Sequence, residues 1–195
     1  MKTLYDLTKE DWNTLFPIQL VDHNPAWKAI FEQEKQLILD TISREAIIQI
    51  EHFGSTSIPS IKSKLYIDII IETPEKLLFD DTIIKQFTKI GYTYFLVPKR
   101  EQFDAYMSFG KGYTFDGAKE QIFHIHMCSK NNLMWQQLKF RDYLIENPIR
   151  AKDYEKLKIS LAEKYRNDRG GYVLSKTDFI NETIELIENT STRSV

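Results

Sequence analysis

The stretch Ile50-Glu51-His52-Phe53-Gly54-Ser55-Thr56-Ser57, followed by Tyr66-Ile67-Asp68-Ile69-Ile70-Ile71, decides how this chain is read. It spells a strand, a donor-rich turn of small residues, and a second, apolar strand that carries one acid. Glycine has no side chain to hold a ligand away. A Gly-Ser turn at a strand end therefore brings backbone N–H groups and hydroxyls close to a phosphate. An aspartate on the neighbouring strand can hold the divalent cation that accompanies such a phosphate. An ordinary turn has the same spelling, so the pattern gains weight only from its surroundings.

Working outward, Ile47 to Phe53 is β-branched and followed by glycine, which predicts a strand. Leu65 to Glu72 is almost continuously apolar, as a central strand covered on both faces would be. Upstream, Asn24-Pro25 open a helix whose apolar positions Trp27, Ile30, Phe31, Leu37, Ile38 and Ile42 share one face. A shorter helix, from Leu7 to Phe16, is capped by Thr8 and stopped by Pro17. Downstream, Pro74 to Ile90 reads as a helix closed by Gly91. Tyr92 to Val97 and Phe103 to Phe109 read as strands joined by a charged turn at Lys99-Arg100-Glu101. Gly110, Gly112 and Gly117 mark a loop. Gln121 to Cys128 alternates as a strand, with Ile122, His124, His126 and Cys128 on one face.

Beyond that strand the chain turns helical, over 131–146, 149–165 and 173–188. Asn147-Pro148 and Asp168-Arg169-Gly170-Gly171 separate these stretches, and 189–195 reads as a frayed tail. The expectation is one α+β domain over 1–195. A mixed β-sheet of four or five strands is flanked by helices, and the last third is helical.

Composition narrows the function classes. A formal net charge of -2 over 195 residues argues against broad attraction to nucleic acid or to an anionic membrane. One cysteine, Cys128, cannot build an intramolecular disulfide framework. The first residues lack the apolar core of a secretory signal, and no apolar run is long enough to span a bilayer. A soluble, cytoplasmic protein is the simplest reading. Its oligomeric state has no signature.

The stretch Ile50 to Ile71 resembles the signature of the GrpB family, a poorly characterised group assigned to the nucleotidyltransferase superfamily. Leu20-Val21-Asp22-His23-Asn24-Pro25-Ala26-Trp27 resembles the family's entry into its first long helix. His124-Ile125-His126 matches its His-x-His strand, and Phe140-Arg141-Asp142-Tyr143-Leu144 its helical signature. The resemblance implies a nucleotidyltransferase-like fold, a divalent metal and a nucleoside triphosphate as substrate. Three positions depart from the family pattern. Pro59-Ser60 stands where Pro-Gly is usual, and Lys64-Leu65 where Lys-Pro is usual. Ile70 stands where an active transferase of the superfamily has its second strand acid.

That last departure bears on chemistry. Residues two apart on a strand share a face, so an Asp-x-Asp pair converges on a two-metal site. Ile70 offers no ligand, and Glu72 lies about 13 Å along the strand from Asp68. Asp68 alone can hold one hydrated Mg²⁺ if a substrate phosphate supplies further oxygens. His124 and His126, about 7 Å apart at Cα, offer a different solution. With Asp68 they would form a two-His-one-carboxylate set suited to Zn²⁺, Fe²⁺ or Mn²⁺ better than to Mg²⁺. They also suit phosphate contact, proton transfer or plain strand packing.

The expected site therefore comprises Asp68, His124 and His126 as the chemical core, with Asp68 as metal holder. Gly54, Ser55 and Thr56 would receive phosphate, with His52 supporting the turn or touching ligand. Lys64 and Arg141 would neutralise charge, although Arg141 fits equally a structural pair tying helix to sheet. The ligand would be a nucleotide or another phosphorylated small molecule, bound by an enzyme transferring a nucleotidyl group. The alternatives are a catalytically silent binding module and a metal-dependent hydrolase using Asp68, His124 and His126.

Overall fold

The computed structural model describes residues 3–100, 103–115 and 120–192. Glu101 of the expected charged turn, Gly117 of the expected loop and tail residues 193–195 lie outside them. Five strands form one sheet: β1 (Gln49–Phe53), β2 (Tyr66–Glu72), β3 (Thr93–Val97), β4 (Tyr106–Lys111) and β5 (Ile122–Cys128). Their order is β1-β2-β5-β4-β3. Only β2 and β5 run parallel; the other neighbours are antiparallel, so the sheet is mixed as expected.

Alternation divides the sheet into two faces. Ile50, Ile67, Ile69, Ile71, Phe123, Ile125 and Met127 face one core with Met107 and Phe109. Helices α2 (Trp27–Thr41) and α3 (Asp81–Lys89) close it through Trp27, Phe31, Ile38, Ile83 and Phe87. Each such side chain, withdrawn from water, contributes about 1.5–3 kcal/mol. Buried among them, Glu34 of α2 accepts from the Tyr92 hydroxyl at 2.9 Å and from Lys111 Nζ at 2.8 Å. That pair ties the helix layer to β4 with its charge matched.

The opposite face carries Ile70, Phe53, Tyr106 and Cys128, packed beneath Met134, Trp135 and Leu138. Here the C-terminal helices dock: α4 (Gln136–Glu146), α5 (Pro148–Lys164), α6 (Arg169–Leu174) and α7 (Thr177–Thr192). Phe140, Leu144, Ala151, Tyr154 and Ile184 form their own core, which reaches Ile58 and Ile61 of the β1–β2 connection. The short helix α1 (Lys9–Leu15) has the expected Thr8 cap, whose side chain accepts from the Asp11 N–H. No helix among the described residues is long and apolar enough to cross a membrane.

Several boundaries differ from expectation. The helix expected from Pro74 starts only at Asp81, because Phe79 adopts φ 66° and Asp80 then caps the helix through the N–H groups of Thr82 and Ile83. Gly110 belongs to β4, so the loop begins at Gly112, whose φ is 87°. The segment read as a separator becomes α6, and α7 continues through Thr192 where fraying was expected.

Ser60 gives the family's Pro-Gly a physical cause. Its φ of 69° lies in the left-handed region, where a Cβ costs about 1–2 kcal/mol and glycine costs almost nothing. Ser60→Gly should therefore raise stability by about 1 kcal/mol after the added unfolded-state entropy is subtracted. Urea denaturation measures it; a lower midpoint would show that the backbone there is relaxed.

Candidate functional site

The parallel pairing of β2 with β5 sets Asp68 opposite His124 and Ile70 opposite His126. Strand alternation then aims Asp68, His124 and His126 toward the helical side of the sheet. One ligand atom from each lies within 4.8 Å of the others. His124 Nδ1 stands 3.7 Å from Asp68 Oδ1, and the two imidazole centroids are 4.3 Å apart. Strand β4 holds both rings by hydroxyls: Ser108 Oγ is 3.0 Å from His124 Nε2, and Tyr106 OH is 3.2 Å from His126 Nδ1. One nitrogen of each ring is thereby fixed, and the other nitrogen of His124 faces the Asp68 carboxylate. Metal-binding histidines are oriented in this way. The donor set fits a single cation of the Zn²⁺ or Mn²⁺ kind.

The Gly-Ser turn closes against the same carboxylate. Gly54 has φ 72° and ψ -174°, a region essentially confined to glycine. A Cβ there would fall 2.3 Å from Asp68 Oδ2. Ser55 to Ser57 then make one tight helical turn. Of its hydroxyls, Thr56 donates to the Tyr66 carbonyl at 2.8 Å and Ser57 to the Gly54 carbonyl at 2.6 Å. Ser55, the turn's third hydroxyl, faces the cleft and meets the Tyr154 hydroxyl. His52 supports this turn from behind, with Nε2 3.0 Å from Thr56 Oγ1 and its ring stacked on Phe31.

A cleft of about 710 Å³ opens over these groups. Seven of the nine expected residues line it: Gly54, Ser55, Thr56, Lys64, Asp68, His124 and His126. His52 and Arg141 do not. The structure places Arg141 between α4 and β1, where Nη1 donates to the His52 carbonyl at 2.6 Å. It also meets Glu51 at 3.5 Å, and Nε meets Asp142 at 2.7 Å. That is the structural pair considered above. Glu72 is opposite Cys128 and Gln49, at the far end of the strand from Asp68, and Ile70 is wholly buried. Among the described residues, no second acid joins the first.

Sequence reasoning missed four further cations on the cleft wall: Arg100, Lys158, Arg169 and Lys176. Lys158 left a trace, since the buried stripe of α5 runs Ala151, Tyr154, Lys158, Leu161 and sets a charge at a core position. Burial, reinforced by the charges of Lys176 and Arg169, lowers Lys64 to about 7. Burial and the Lys176 charge lower Lys158 to about 7, and burial lowers Lys176 to about 8. Burial opposes ionisation of Asp68. The adjoining His124 imidazole, with His126 and Lys64, outweighs it and holds the carboxyl below its ordinary value.

Residues 17–186 match the family described as GrpB protein. The chain belongs to the GrpB family. The glutamate-rich protein GrpB of Alkalihalophilus pseudofirmus is 35% identical over 85% of this chain and 92% of its own length. YqkA of Bacillus subtilis is 32% identical over 86% of this chain and 46% of its own length. The crystal structure of conserved protein GrpB from Enterococcus faecalis superimposes with a TM-score of 0.70 at 28% identity. It covers 86% of this chain and 95% of that one.

The histidines set an acid limit. Burial lowers His126 to about 3 and His52 to about 4, so both stay neutral in the folded chain while the unfolded chain protonates them near 6.5. The unfolded state then binds more protons between pH 6.5 and about 4, and stability present above pH 6.5 is lost on acidification. The urea midpoint should fall steadily from pH 7 to pH 5. A flat profile would mean that both rings ionise without unfolding.

Proposed function

We propose that this GrpB-family chain binds a nucleotide or another phosphorylated small molecule in the cleft, beside one divalent cation at Asp68, His124 and His126. The convergence of those three side chains, with each imidazole anchored by a β4 hydroxyl, carries the reading. One carboxylate and two imidazoles suit Mn²⁺ or Zn²⁺ better than Mg²⁺, which prefers oxygen. When bound, the cation would neutralise phosphate oxygens and polarise a phosphoryl group.

The chain's own groups supply the rest. The Gly54–Ser55 turn offers N–H groups and a hydroxyl to phosphate, and Lys64 offers an ammonium on the same wall. Strands β2 and β5 hold the donors rigidly, so little ordering is needed on binding. The nucleotidyltransferase ancestry implied by the family makes nucleotidyl transfer the corresponding reaction, with a single ion because Ile70 replaces the second acid. Ile70 also favours a silent module that binds nucleotide without turnover. The oriented imidazoles favour hydrolysis at a transition metal.

Isothermal titration of Mn²⁺ and of ATP with Mn²⁺ tests the reading. Asp68→Asn should weaken metal-dependent nucleotide binding about tenfold or more with the circular dichroism spectrum unchanged. Unchanged binding would assign the carboxylate another job. Turnover across acceptors separates transferase from silent module. Elemental analysis of protein purified without added metal addresses the hydrolase, which requires near-stoichiometric Zn, Mn or Fe.

A further inference from the structure

The chain as a whole carries a formal net charge of -2, yet its cleft inverts that sign. Among the described residues, five cationic side chains line it, Lys64, Arg100, Lys158, Arg169 and Lys176, against one carboxylate, that of Asp68. No described carboxylate lies within salt-bridge distance of Lys64, Lys158, Arg169 or Lys176. Aromatic rings and carbonyls hold these cations instead. Lys64 Nζ is 4.4 Å from the Tyr66 ring centre and 5.7 Å from that of Tyr172. Lys176 Nζ is 4.7 Å from the same Tyr172 ring. Arg169 Nη1 donates to the Phe16 carbonyl at 2.7 Å and to the Tyr66 hydroxyl at 2.9 Å. Lys158 is 1% exposed, with Nζ donating to the Lys62 carbonyl and lying 5.0 Å from the Tyr154 ring centre.

Those partners orient positive charge without cancelling it. A buried, unneutralised ammonium is costly, and three more cations beside it raise the cost through mutual repulsion. Elements far apart in sequence build this arrangement: the segment before β2, α5, α6 and the turn between α6 and α7. A lone phosphate brings about two negative charges, too few to match four cations. A di- or triphosphate matches them and is long enough to touch several at once.

We infer that Lys64, Lys158, Arg169 and Lys176 form a polyphosphate subsite, so that the ligand of this cleft carries a di- or triphosphate. This deepens the phosphorylated-ligand reading and rests on it. The depressed lysines agree, since an anion among them relieves the repulsion that pushes their protons off. A nucleoside triphosphate and inorganic polyphosphate share this chemistry.

The test uses metal-stripped protein in chelator-free buffer, titrated with orthophosphate, pyrophosphate, tripolyphosphate and ATP. Tripolyphosphate should bind about tenfold or more tighter than orthophosphate, and the preference should shrink as salt is added. Lys176→Gln and Lys64→Gln should each weaken tripolyphosphate binding about tenfold, and Lys176→Arg should retain it. Lys176 lies between helices, so its variants keep the test open if Lys64→Gln does not fold. ATP binding tighter than tripolyphosphate identifies a nucleotide as the source; equal affinity identifies inorganic polyphosphate. Equal affinity for orthophosphate and tripolyphosphate, or folded lysine variants that bind like the parent, overturns the subsite. With no metal present, that failure is separate from a failure at Asp68. A cleft that binds phosphate monoesters only with Mn²⁺ would keep the broader reading and refute this one.

Discussion

The register of β2 on β5 is the constraint from which the rest follows. On one face it buries Ile67, Ile69, Ile71, Phe123, Ile125 and Met127; on the other it sets Asp68 beside His124, with His126 two residues on. A slip of one residue would drive imidazoles into the apolar core and turn isoleucines toward the cleft. Hydrophobic burial on one side therefore fixes a polar constellation on the other. The antiparallel partner β1 ends at Phe53, opposite Asp68, so the chain must turn there. Only a glycine turns so close to that carboxylate.

Local pattern made the strands and their faces legible. The β5 face shared by His124 and His126, the apolar character of β2, and the Thr8 cap all needed nothing beyond neighbouring residues. Where expectation missed, a nearby signal had been outweighed. Asp80 spells a helix cap, but the amphipathic run from Pro74 hid it, and Phe79 in a left-handed conformation has no sequence signature. Gly170 and Gly171 suggested a break, yet α6 forms with Gly171 packed against Tyr165 and Asp168, where a side chain would collide. Arg141 suited phosphate by its chemistry alone; its docking on the His52 carbonyl depends on how α4 meets β1.

The cationic wall is the clearest case of information spread beyond any motif. Lys64 and Lys176 meet the same tyrosine ring although more than half the chain separates them. No periodicity or spacing announces such a meeting, because it exists only after the helices have packed. The nearest hint was a lysine in the buried stripe of α5, an inconsistency between local pattern and global burial. Inconsistencies of this sort concentrate where a fold accepts strain for another purpose.

Two parts of the chain share the cleft without sharing a scaffold. Hydrogen-bonded strands position the carboxylate and imidazoles, while three of the four cations come from α5, α6 and the turn after α6, joined to those strands by side-chain packing. On the proposed polyphosphate reading, substitutions at positions 158, 169 or 176 redraw which anions a descendant prefers and leave the strand ladder untouched. Divergence within such a lineage has a soft margin and a hard one, and ligand choice belongs to the soft.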